Sequence, residues 1–421
     1  MTIDRIEMWH VAVPLAKPFY PSWIPAYPQT ENRFTLLKLT TDDGIEGIAA
    51  GTAFAAERAG LGNLIGPYLI GLDPEDIPTV RRRLREASYL GWRNNWMEAA
   101  FWEIKAKAAG VPVWRLLGGS GVDRAQVYAS CGEVRSPEER VEDVHALYEQ
   151  GFRSVKLRVH SAKIETDLAQ LEAVCKEHGD RMTIGVDANQ GWPVGIIRET
   201  PIWDLDRAKR FCDACADLGI GWIEEPLDMY AYDELAELRR YSKVPIAGAE
   251  LCDGWHTMRV MLEKGCFDIY QPDSTMGGGL TEARMVQVEC EKQGLAFTPH
   301  SWSNGLGFII NLHVYAAGKM SKPFEYPYEP PGWIPEARDG ILEEPIMADG
   351  GATIAIPQEP GFGFRVSKSK LRRYGRKFFT MTPRSLAIST IRDKGIKVAV
   401  ELKRAKANRT PADDASVPRD R

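Results

Sequence analysis

The feature that most constrains this chain is a repeat. Through its middle, short apolar runs recur, each closed by a charged or imidazole side chain. In order they carry Lys156 and Arg158 in SVKLRV, Asp187 in TIGVDAN, Glu224 in GWIEEP, Glu250 in PIAGAE, Asp273 in IYQPD and His300 in AFTPH. Successive members lie about 23 to 37 residues apart, which is room for one strand, one helix and two loops, the repeat of a (β/α)8 barrel. In such a barrel the C-terminal strand ends open on one pocket. Three carboxylates, an Asp-His pair and a cationic pair would therefore meet there.

Eight runs fit the rhythm from about Ala125: QVYASC, SVKLRV, MTIGVDAN, GWIEEP, VPIAGAE, DIYQPD, LAFTPH and FEYP. Between them lie helical patterns such as SPEERVEDVHALYEQ, IETDLAQLEAVCKEH and LDRAKRFCDACADLG. Alternating runs of this kind predict parallel β/α units. The first helical pattern opens on Ser136, Pro137, Glu138 and Glu139, a cap, a preset φ and acidic charge at the positive end of a helix. A barrel takes about 250 residues, so a 421-residue chain leaves space for another compact domain.

The flanks break the rhythm. Residues 1–123 read as strands, IDRIEMWHVAVPL and FTLLKLTTDDGIEGIAAG, followed by helices, an α+β capping domain. Its last helix, NWMEAAFWEIKAKAAG, repeats apolar residues at Met97, Ala100, Phe101, Ile104 and Ala108 and stops at Gly110 and Pro112. Residues 124–330 form the predicted barrel, and 331–365, rich in proline, return to the cap. Residues 366–421 form a basic extension whose end, NRTPADDASVPRDR, reads as disordered. The net charge of −5 hides an asymmetry: sixteen Lys and Arg stand against five Asp and Glu from Val366 on, +11, which leaves −16 for the rest.

Seven cysteines without regular spacing predict reduced thiols, and Cys212 and Cys215 lie within a helical pattern with no second pair, against zinc. The opening residues lack the charged start and apolar core of a signal peptide, and no run approaches the roughly 20 apolar residues of a membrane span. A cytoplasmic protein without membrane contact is the expectation.

Asp187, Glu224 and Glu250 close consecutive strands, so their oxygens can converge on one hard divalent cation, for which magnesium is suited. Asp273 and His300 close the next two. There a carboxylate can take the Nδ1 proton, fix the tautomer and leave Nε2 facing the pocket as an acid/base. Lys156, Arg158 and His160 alternate along one strand. A guanidinium stays protonated, so Arg158 suits clamping a carboxylate better than accepting a proton. His160, at or beyond the strand end, reads equally as a solvated loop residue.

In combination these motifs resemble the enolase superfamily, in its mandelate racemase and muconate lactonizing branch, over about residues 1–365. The resemblance rests on KAAGVPVWRLLGG, Lys156 and Arg158, VDAN, WIEEP, the Gly-Ala-Glu strand end, QPD with MGGGLTE, and PHS. It implies a barrel with a capping domain, one Mg2+ per subunit on Asp187, Glu224 and Glu250, and a His300-Asp273 acid/base dyad. It also implies that Glu325, on the eighth strand, hydrogen-bonds the substrate carboxylate and that Asn189 faces the substrate. The superfamily uses a Lys or His base with magnesium to stabilise an enediolate, known family chemistry that the resemblance carries over.

The family pattern on the second strand is Lys-x-Lys, and this chain has Arg158 in the second place. Racemisation through two bases is thereby disfavoured. The expectation is dehydration of a sugar acid to a 2-keto-3-deoxy acid, in carbohydrate acid metabolism. The alternative within the family is a racemase, epimerase or cycloisomerase. The alternative outside it is a non-catalytic binding protein using the basic C-terminal segment, discriminated by retention on polyanions. The aromatic loop KPFYPSWIPAYPQTENRF, with Tyr20, Trp23 and Tyr27, is the expected lid, and Arg93 in GWRNNW a further substrate contact. A small hydroxy acid is the expected partner, a homo-oligomer the expected assembly, and nucleic acid is disfavoured.

Overall fold

The computed structural model describes residues 1–52, 66–89 and 93–407. The tail expected to be disordered, 408–421, lies outside these.

The chain opens with a long strand, β1 (Ile3–Phe19), followed by β2 (Gln29–Thr41) and β3 (Glu46–Thr52), an antiparallel meander with Ile6 opposite Leu39 and Trp9 opposite Leu36. An Asp-Asp-Gly turn joins β2 to β3: Gly44 has φ +90°, a conformation open to glycine, and Thr41 N–H reaches the Ile45 carbonyl at 3.0 Å. The helix Glu98–Ala108 lays Ala100, Phe101 and Ile104 on this sheet. The approach is so close that a Cβ on Gly47 would lie 2.0 Å from the Ala100 carbonyl oxygen.

Eight parallel strands follow. They are β4 (Arg124–Ser130), β5 (Ser154–Arg158), β6 (Thr183–Asp187), β7 (Trp222–Glu224), β8 (Ile246–Gly248), β9 (Ile269–Tyr270), β10 (Ala296–Phe297) and β11 (Phe324–Pro327). Their order is β10-β9-β8-β7-β6-β5-β4-β11, so the eighth strand pairs with the first and the sheet curls round. Between β10 and β11 side chains span the join: Thr298 Oγ1 donates to the Pro323 carbonyl at 3.1 Å and Ser301 Oγ to the Glu325 carbonyl at 2.8 Å. Helices such as Pro137–Glu149, which opens on a capping box of Ser136 and Glu139, separate the strands. The eighth strand is followed by only a short helix, Pro335–Arg338. The fold is thus an α/β barrel of modified TIM type beside an α+β N-terminal domain.

Two later strands return to earlier layers. β12 (Thr353–Ala355) pairs antiparallel with β4, and β13 (Gly375–Met381) pairs antiparallel with β1, giving the N-terminal sheet the order β13-β1-β2-β3. Inside the barrel Tyr128, Trp222, Ala247 and Ile269 form a separate apolar cluster. Tyr128 and Trp222 lie two residues before Ser130 and Glu224, and Ile269 four before Asp273. They share the inward face of their strands and make a floor under the polar ends. All seven cysteines are unpaired, and no described helix is long and apolar enough to cross a membrane.

Candidate active site

The strand ends converge. One carboxylate oxygen each of Asp187, Glu224 and Glu250 lies within 4.8 Å of the others, and all three residues are buried. Lys156 Nζ lies 2.5 Å from Glu224 Oε1, 2.9 Å from Glu325 Oε1 and 3.4 Å from Asp187 Oδ2. The Arg158 guanidinium pairs with Asp187, and its Nε donates to the Cys131 carbonyl at 2.7 Å. Pairing on adjacent strands produces this, since Arg158 is in register with Asp187 and Asp187 with Glu224.

The dyad is formed. His300 Nδ1 lies 2.9 Å from Asp273 Oδ2, and a carboxylate only accepts, so Nδ1 carries the proton. Nε2 faces Glu250 Oε2 at 3.3 Å. Asp273 is held by Thr275 N–H at 2.6 Å, Thr275 Oγ1 at 2.8 Å and Asn311 Nδ2 at 3.1 Å. Glu325 accepts from Ser130 Oγ at 2.8 Å and Ser301 N–H at 2.7 Å.

Carboxylates outnumber cations here, and their proton affinities show it. Burial, reinforced by Asp187 and Glu325 and only partly offset by Lys156, pushes Glu224 up to about 8. Burial also raises Glu250, next to Asp187. For Asp187 burial is outweighed by Arg158 and Lys156, which hold it low, and for Glu325 by Lys156 and His300. Burial opposes charge on His300 as well, but Glu250, Glu325 and Asp273 overcome it and push the imidazole up to about 10.

The loop expected to act as a lid contributes unequally. Trp23 reaches the site, its ring 5.1 Å from the Arg158 guanidinium carbon and 5.3 Å from the Trp302 ring. Ser22 Oγ donates to Asn189 Oδ1 at 2.6 Å, and Asn189 N–H donates to Asp187 Oδ1 at 2.9 Å, which ties the loop to a metal-ligand candidate. Tyr20 and Tyr27 are half exposed, at 51% and 44%. Arg93 lies beyond Glu250, donating to the Leu251 carbonyl at 3.0 Å and pairing with Asp253. His160 departs from the solvated reading: it is buried, with Nδ1 3.0 Å from the Ala188 carbonyl.

Several supporting residues escaped the sequence reading. Gln271 Nε2 donates to Glu224 Oε2 at 2.8 Å and Trp192 Nε1 to Glu250 Oε1 at 2.7 Å. Glu225 is buried with neither carboxylate oxygen partnered, and burial beside Glu250, Asp187 and Glu224 raises it well above the ordinary range. Gln271 lay in plain view, two residues before Asp273 on the same face. Glu225 did not, because the chain turns at φ +47° there and leaves the strand alternation.

The fold and these strand ends define a class, the barrel enzymes whose reacting groups stand at the C-terminal ends of the strands. Residues 139–370 match the family model "Enolase C-terminal domain-like", and residues 6–118 match "Mandelate racemase / muconate lactonizing enzyme, N-terminal domain". The chain belongs to the enolase superfamily, in the branch that holds mandelate racemase and muconate lactonizing enzyme. It is 27% identical to D-galactarolactone cycloisomerase of Agrobacterium fabrum over 354 residues, 80% of this chain and 90% of that one. It is 29% identical to L-talarate/galactarate dehydratase of Salmonella typhimurium over 393 residues, 88% and 91% of the two chains. Among solved structures, the L-talarate dehydratase of Polaromonas sp. JS666, complexed with Mg and L-glucarate, superposes with a TM-score of 0.76 at 24% identity, covering 91% of this chain and all of that one.

Proposed function

We propose that this enzyme dehydrates a sugar acid to a 2-keto-3-deoxy acid with the help of one Mg2+. The observation that carries the reading is the asymmetry between the two faces of the site: a buried imidazole with a fixed tautomer on one strand end, and on β5 an arginine where a second base would stand. One base supports elimination; two are needed for racemisation.

The residues fit the cation. Three buried carboxylates crowd within 4.8 Å, and two of them, Glu224 and Glu250, are raised by burial and by the neighbouring carboxylate of Asp187, which the nearby cations do not overcome. Asp187, Glu224 and Glu250 would hold it, with Trp192 and Gln271 orienting two of the three. Bound there, Mg2+ would supply Lewis-acid polarisation of the substrate carboxylate and positive charge against the developing enediolate.

The chain's own groups account for the proton movements. Lys156 donates to the substrate carboxylate. Glu325, kept ionised by Lys156 in the free enzyme, gains proton affinity as that second carboxylate arrives and engages Lys156, and so becomes a donor to it. In the free enzyme Glu250, Glu325 and Asp273 favour the imidazolium. With Glu250 committed to the cation that charge would be offset, and the neutral His300 Nε2 takes the proton from the carbon next to the carboxylate, with Asp273 steadying the imidazolium that forms. The same Nε2–H then passes its proton to the β-hydroxyl, which departs as water, and the enol left behind becomes the keto acid. Arg158 stays cationic throughout and braces Asp187 and the lid tryptophan.

The test is a screen of mono- and diacid sugars for 2-keto product, with Mg2+ and with a chelator. A magnesium-dependent keto acid from at least one of them is expected, with solvent deuterium incorporated only on the His300 side. The similarity to a cycloisomerase favours one competing outcome, conversion of a sugar lactone without keto product. That result, or exchange on both faces of one α-carbon, would overturn the dehydratase reading.

A further inference from the structure

We propose that the C-terminal helical hairpin is a self-association arm that docks on a second copy of this chain. Two helices, Pro383–Lys394 and Ile396–Ala407, follow β13 and are joined at Gly395. The arm is rooted in the cap, since β13 is the edge strand on β1, Met381 is buried and Leu386 packs against the main core. The family-model matches cover residues 6–118 and 139–370, and the hairpin lies beyond them.

Beyond that root its apolar side chains stand exposed among the described residues. Ile388, Ile391, Ile396, Val398, Val400 and Leu402 are 39% to 68% exposed, six aliphatics within fifteen residues. Scattered exposed aliphatics are ordinary, but a cluster of this density on one hairpin marks an interaction surface.

Charge selects the occupant. Residues 383–407 carry seven Lys and Arg against two Asp and Glu. The body up to Arg365 carries −16, so a polyanion or an anionic bilayer drawn to the arm is repelled by the domain behind it. The same body attracts the arm of another molecule. Nor is the apolar pattern that of a helix lying on a membrane. Ile396 and Val400 share one side of their helix while Val398 and Leu402 fall on the other, with Lys403 and Arg404 between. Apolar groups on both sides suit a hairpin seated between protein surfaces.

Sedimentation equilibrium on the full-length protein tests this, with the exposed double variants I388E/V400E and K397E/R404E as comparisons. The wild type is expected at a whole-number multiple of the chain mass that falls by at least twofold in either variant, with circular dichroism and turnover unchanged. High salt is expected to weaken the wild-type assembly. Equal masses for the wild type and I388E/V400E overturn the proposal. Retention of the wild type alone on heparin or on phosphatidylserine vesicles, with no difference in mass, also overturns it and reassigns the arm to a polyanion. A K397E/R404E protein that keeps the wild-type mass would overturn the electrostatic selection of the partner.

Discussion

Two buried charged clusters lie at the same end of the barrel, and they are built on opposite plans. In the loops after the first and eighth strands, Glu329 meets Arg140 at 3.1 Å and Arg135 at 3.2 Å and accepts from the Gly132 and Glu133 N–H groups at 2.8 and 3.0 Å. Burial opposes its charge, but the two arginines prevail and hold Glu329 below the ordinary carboxylate range. At the strand ends the balance reverses: burial, with neighbouring carboxylates beside it, raises Glu224, Glu225 and Glu250, and the nearby cations do not overcome it. Charge completed within the chain serves the fold. Charge left incomplete is where the proposed cation would enter.

Substitutions in the two clusters should therefore separate cleanly. The largest effect is expected from His300→Asn, which removes the proposed acid/base. Turnover should drop by about 10² to 10⁴-fold or more, with thermal stability preserved, as read by steady-state kinetics beside calorimetry. Arg140→Met should do the reverse, costing about 1–3 kcal/mol in denaturant unfolding because buried Glu329 loses one of its two arginines and keeps only Arg135, while turnover per folded molecule holds. A smaller, pH-dependent effect belongs to Glu329→Gln. Because the folded state depresses this carboxyl, its contribution is full above the ordinary value of 4.5 and is lost as pH falls through the lowered one. The melting-temperature gap between wild type and variant should accordingly narrow below about pH 4.5. The smallest effect is expected from Glu225→Gln. Its carboxyl already favours the neutral form, so the amide should change stability by no more than about 1 kcal/mol near neutral pH. A large loss there would mean that Glu225 is ionised and the contrast between the clusters is wrong.

Strand ends were legible because alternation at two residues is strict: one inward position implies the next, and Lys156 with Arg158, Asp187, Glu224, Asp273 and His300 could be read from it. What holds them was not. Asn311 comes from a helix after β10, Trp192 from the loop after β6, and Ser22 from the opposite domain, and each meets its partner only when distant segments pack. His160 read equally as a solvated loop residue and as a functional one; it is buried, and the Asp167 carboxylate accepts its backbone N–H at 3.1 Å. The same limit applied to the C-terminal segment. Its basic charge was plain, but the pairing of β13 with β1 joins residues some 370 positions apart, and no local pattern encodes such a register.

Calorimetric titration of Mg2+ into metal-free protein, repeated in buffers of different ionisation enthalpy near pH 7, bears most directly on the strand-end carboxylates. One saturable site per chain is expected, with protons released as Glu224, raised to about 8, gives up its proton to the incoming cation, and with the site lost in Glu250→Gln. No saturable binding, or binding that survives Glu250→Gln and releases no protons, would contradict the account.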